Sequence, residues 1–176
     1  MRITPDVLAS SGSGEGAGNQ GSEENMDRIF WLLALGGTAL QAYSLKRRVR
    51  SLIAEKPELE EGYEKIFKGY LFFGSLPWIV MGVGVLSGGA HGVFDFFRPG
   101  DGNPYVLAFH LVIIGIWTLS ALWIFFGEDA EFLVRHPGLF NWRFKSPIAI
   151  KILLAISLAG GIAGMYLMWT MPPLAR

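Results

Sequence analysis

The chain of 176 residues contains no cysteine, which excludes disulfides, thiolate metal sites and thiol redox chemistry. It also lacks net charge. Fifteen Lys and Arg balance 15 Asp and Glu, so nothing global favours nucleic acid as a partner. Charge is scarce as well as balanced, at 17% of residues against about 25% in an ordinary soluble domain. The deficit is concentrated. Four stretches, Ile29–Leu45, Gly69–Ala90, Pro104–Gly127 and Ile152–Ala175, hold no Asp, Glu, Lys or Arg at all. Embedded ionisable groups are the usual carriers of transport and proton chemistry in membranes, and these runs have none beyond histidine.

What is present is length and apolarity. About 20 apolar residues, each rising ~1.5 Å in a helix, match a hydrocarbon layer of roughly 30 Å. Four such runs predict an all-α polytopic membrane protein, a bundle of four transmembrane helices at about 29–45, 69–90, 104–127 and 150–172. They form one domain, 26–176, preceded by a different material. Between Ser10 and Asn25 the only apolar residue is Ala17, so the Gly/Ser/Glu-rich tail 1–25 is expected to be disordered. It lacks the basic-then-apolar layout of a signal peptide, and Met26 is an alternative start, with the tail as an extension.

Basic residues orient the bundle. Lys46, Arg47, Arg48, Arg50, Lys56, Lys65 and Lys68 lie between spans one and two, and Arg135, Arg143, Lys145 and Lys151 between three and four. The other side holds only Arg2, Arg28, Arg98 and Arg176. Lys and Arg resist translocation, so the first and third loops are expected in the cytoplasm and both termini outside. A bacterial cytoplasmic membrane is the expected location. The Lys46–Arg50 cluster should attract anionic lipid. Trp31, Tyr43, Tyr105, Trp123, Trp142 and Trp169 fall near predicted interfaces, as aromatic anchors do.

Local punctuation agrees with these limits. Asn103-Pro104 and Ser146-Pro147 each pair a polar cap with Pro at the first helical position. Gly88-Gly89 and Pro172-Pro173 read as stops for spans two and four. Pro57, Glu58, Glu60 and Glu61 open a cytoplasmic stem in which Glu61/Lys65 and Glu64/Lys68 are spaced i,i+4. Lipid tails are as apolar as Leu, so spans associate through small residues that let backbones approach. Gly84 and Gly88 in span two and Gly160 and Gly164 in span four are the expected packing positions. Pro77, inside span two, removes a backbone donor and frees the Phe73 carbonyl, predicting a static bend.

Candidate chemistry is sparse. His136, in Arg135-His136-Pro137-Gly138, reads as part of a turn. His91 and His110 both lie toward the external side, and two neutral imidazoles at similar depth are able to ligate haem iron or another metal. Their bland reading is a cap on span two and a hydrogen bond within the bundle. Met165, Met168 and Met171 recur every third residue nearby, and thioethers suit Cu(I), although methionine is also a common packing filler. The external loop Gly92–Asn103 carries Phe94, Phe96 and Phe97, expected to dip into the interface while Arg98 pairs with Asp95 or Asp101.

Three functions follow, in order of preference. The first is a non-enzymatic structural, assembly or modulatory subunit of a membrane complex, with no cofactor expected and a membrane-protein partner. The second is a haem- or metal-binding redox subunit using His91 and His110. The third is a small oligomeric transporter or channel for a neutral or lipidic solute, working around Pro77.

Overall fold

The computed structural model describes residues 16–127, 129–139 and 146–170, with side chains from Met26 onward. These residues form five α-helices: α1 (Gly16–Glu55), α2 (Glu60–Leu86), α3 (Pro104–Phe126), α4 (Asp129–Arg135) and α5 (Pro147–Thr170). Three segments, Pro57–Leu86, Pro104–Phe126 and Pro147–Thr170, are long and apolar enough to cross a membrane. The charge-free run in α1 is shorter and interrupted by Gly36, Gly37, Thr38 and Gln41.

Helix α1 is 40 residues long, about 60 Å at helical rise and thus about twice a hydrocarbon core. It begins at Gly16, inside the tail expected to be disordered; residues 1–15 lie outside the described residues. Gly, Ser and Asn are poor helix formers, but adding turns to an existing helix avoids the costly nucleation step. The helix ends where Pro57 disfavours the α conformation in the residue before it, and Lys56 sits at φ −138°, ψ 80°. A 3₁₀ turn, Pro57–Leu59, then reverses the chain into α2.

Helices α1 and α2 are antiparallel neighbours over their whole apolar length. A methyl group added at Gly82 would come within 2.7 Å of the Trp31 ring, and one at Gly74 within 3.2 Å of Thr38. The Tyr70 hydroxyl donates to Gln41 Oε1 at 2.5 Å, and Leu45 packs with Phe67. The α1 residue number rises as the α2 number falls, so both helices occupy the same depth. Thr38, which packs near Gly74, satisfies its hydroxyl within its own helix, Oγ1 donating to the Ala34 carbonyl at 3.0 Å. On the stem, Lys65 meets Glu61 at 2.9 Å and Lys68 meets Glu64 at 3.1 Å, the two opposite-charge pairs read from the sequence.

The α2–α3 connection closes through caps. Gly88 adopts φ +74°, the left-handed conformation glycine enters at least cost, and its N–H returns to the Val85 carbonyl at 3.1 Å. Asn103 caps α3, its Oδ1 accepting from the Tyr105 N–H at 3.0 Å while its Nδ2 donates to the Gly89 carbonyl at 2.6 Å. One side chain thereby ties the end of α2 to the start of α3. The loop between them differs from expectation. Phe94 and Phe97 are exposed, but Phe96 is buried in the core with Met81, Val85, Val106 and Phe109. Asp95 takes the His91 N–H at 2.7 Å instead of an arginine.

Packing is concentrated at the two ends. Besides the cluster around Phe96, Leu45, Val49, Tyr63 and Phe67 join α1 to α2 beside the 3₁₀ turn, and Ile124, Ala130 and Ile150 join α3, α4 and the start of α5. Helix α4 was not foreseen. Its seven residues place Asp129 and Glu131 in the first turn and Arg135 in the last, the charge order that suits a helix dipole. Ile150 is the only α5 residue that is fully buried. Ile156, Ile162, Tyr166 and Leu167 are all more than 60% exposed or nearly so, an apolar surface suited to lipid.

Candidate functional site

At the α2–α3 loop end, α3 places His110 one turn after Val106, and Nδ1 lies 2.9 Å from the Val106 carbonyl. That contact requires the proton on Nδ1, which leaves Nε2 a bare acceptor in the neutral ring. His110 is 2% exposed, and its Nε2 has no hydrogen-bond partner. The Phe109 ring stands 5.6 Å away and the Trp169 ring of α5 6.2 Å away, both edge-on. His91 is in a different setting. Its side chain is 91% exposed, and it faces Asp95 through both its backbone N–H and, at 3.3 Å, Nδ1. No hydrogen bond or ring contact joins the two histidines. Among the described residues no three His, Asp or Glu side chains gather as a metal site. Met171 lies outside the described residues.

The opposite end, beside the α1–α2 turn, holds a latch that the sequence reading missed. Tyr63 of α2 is fully buried, and its hydroxyl donates to the Pro137 carbonyl at 2.5 Å. The His136 ring lies edge-on to Tyr63 at 5.0 Å and beside Phe132 at 4.2 Å, with Nδ1 on the Phe132 carbonyl at 2.7 Å. The same imidazole sits directly over Gly62, where any Cβ would collide with it. His136 is therefore a buried clasp between α4 and the α1–α2 hairpin rather than a plain turn residue. The available signal was Tyr63 and Phe67, four residues apart on one face of an otherwise charged stem.

Between these ends α2, α3 and α4 leave a groove of about 870 Å³, lined by Phe73, Ile116, Phe132 and Leu133. Lys65 and Asp129 also line it, at the end nearest Tyr63. A smaller hollow of about 320 Å³ shares Tyr70, Phe73 and Ile116 with it and continues to Pro77 and Trp117.

The four glycines expected to mediate packing have separate fates. At Gly84 a Cβ would lie 3.0 Å from both Phe96 and Tyr105, a true close approach. Gly88 serves as the left-handed stop of α2, with open space around it. Gly160 and Gly164 also face open space, whereas their neighbour Gly161 meets Trp117 of α3, where a Cβ would lie 2.6 Å from the ring. Pro77 lies within α2, whose helix runs unbroken from Glu60 to Leu86. Comparison with protein-family models, with curated proteins and with solved structures finds no match to this chain.

Proposed function

We propose that the chain crosses the membrane four times, with both termini outside, and serves as an assembly or modulatory subunit of a larger membrane complex. The fourth crossing is α1. Its run Ile29–Leu45 lies alongside the apolar part of α2, so a bilayer that takes one takes both. Leu32, Leu33 and Leu40 point away from the hairpin and are exposed, as lipid-facing residues are.

The observation that carries the subunit reading is the open small-residue face of α5. A Cβ added at Gly160 or Gly164 would meet no other element within 4 Å, although such positions are where membrane helices approach most closely. Extraction in mild detergent should return the chain within a stable heteromeric assembly, and Gly160→Leu should release it as a folded lone polypeptide. Recovery of the wild-type chain alone would overturn this reading.

A second reading is favoured by one atom, the unpartnered Nε2 of His110. A buried imidazole with a bare lone pair is able to ligate haem iron or another metal. Purified protein would then show a Soret band or bound metal that His110→Ala abolishes. A colourless, metal-free sample would end it.

A further inference from the structure

We infer that the α2–α3 groove is a seat for one anionic phospholipid, with an acyl chain in the groove and the head group toward the basic residues that follow Leu45 in α1. The inference rests on the bilayer reading above and is independent of the subunit reading. Size comes first. At about 870 Å³ the main groove falls within the roughly 300–1,000 Å³ of small-molecule sites. Its lining is mostly apolar, with Ile66, Phe73, Ile116 and Leu119 among it, and the polar groups on it belong to Tyr70, Ser120, Trp123 and the charged pair Lys65 and Asp129.

Depth selects the kind of occupant. From Lys65, on the lining of the groove, to Pro77, on the lining of the continuing hollow, is about 18 Å along α2 at helical rise. A single leaflet offers about 15 Å, half of a roughly 30 Å core. The groove therefore begins at the interface and ends near mid-membrane, the extent of one lipid tail. A helix from a partner or from a second copy would cross both leaflets. Beyond Pro77 it would find no matching groove, because Met81, Val85, Val106 and Phe109 fill that part of the seam.

Charge selects the head group. Lys65 lines the groove, and Leu45, which also lines it, is followed closely by exposed Lys46, Arg47 and Arg50. Glu61 already engages Lys65 and Asp129 is nearby, so the surplus of positive charge comes from α1. Basic residues near a membrane surface attract anionic lipid.

The test uses the full chain reconstituted with equal phosphatidylglycerol and phosphatidylcholine, then extracted in mild detergent, with retained lipid counted by native mass spectrometry. One phosphatidylglycerol per chain is expected. Gly69→Trp should reduce it at least tenfold, since Gly69 lines the groove and a Cβ there meets nothing within 4 Å. Ile156→Trp, on the exposed face of α5, should leave it unchanged. Because the chain has no cysteine, Ser120→Cys supplies a single thiol in the groove, which phosphatidylglycerol should protect from alkylation at least fivefold more than phosphatidylcholine. Undiminished retention in Gly69→Trp, equal protection by both lipids, or crosslinking of the thiol to a polypeptide would overturn the proposal. A chain released from membranes by alkaline carbonate would instead fail the bilayer reading itself.

Discussion

Opening the clasp over Tyr63 should loosen one end of the molecule without unfolding it. In Tyr63→Phe the ring remains between Phe67 and His136, and only the hydroxyl that serves the Pro137 carbonyl is lost. A buried acceptor left without its donor costs about 1–3 kcal/mol, and the lower half applies here because Pro137 is only half-buried. A loss of one or two kcal/mol changes a closed-to-open ratio roughly 5- to 30-fold. Arg135 stands immediately before the clasp with its side chain 65% exposed, so trypsin reports the open state directly. Where opening is faster than cleavage, the rate follows the open population. Cleavage after Arg135 in mild detergent should therefore accelerate 5- to 30-fold in Tyr63→Phe.

His136→Ala should accelerate it further, because it removes both ring contacts and the bond to the Phe132 carbonyl. The double variant should fall short of the product of the two effects, since residues in one cluster couple by about 0.5–3 kcal/mol. If Tyr63→Phe is helical and monodisperse yet cleaved within twofold of the wild-type rate, the hydrogen bond does not hold the α4 end against the hairpin.

Two further expectations concern the spans. Gly161→Leu drives a side chain into Trp117 and should cost about 1–3 kcal/mol in denaturant unfolding, while Gly160→Leu, facing open space, should stay within about 0.5 kcal/mol. Equal effects at the two positions would show that α5 is rotated from the orientation described. Topology is testable with single thiols: Asp101→Cys should react with an impermeant maleimide on intact cells, and Ser51→Cys only after permeabilisation. The reverse pattern would invert the orientation.

Much of this molecule was legible from local chemistry. The cap at Asn103 with Pro104, the matching Ser146 and Pro147, the i,i+4 pairs of the stem and the glycine stop after α2 all involve residues within four positions of each other. Such features depend on backbone geometry and immediate neighbours, which the order of residues specifies. So does the depth of each apolar run. Rotation of a helix about its axis is another matter. Helices α3 and α5 are apolar on all sides, so no periodicity marks which face turns inward. Only the packed structure therefore decided that Gly161 rather than Gly160 meets its neighbour and that Phe96 alone of three phenylalanines enters the core. It likewise decided that His110 is sealed inside while His91 stands in the open, and that His136, 74 residues beyond Gly62, closes over it.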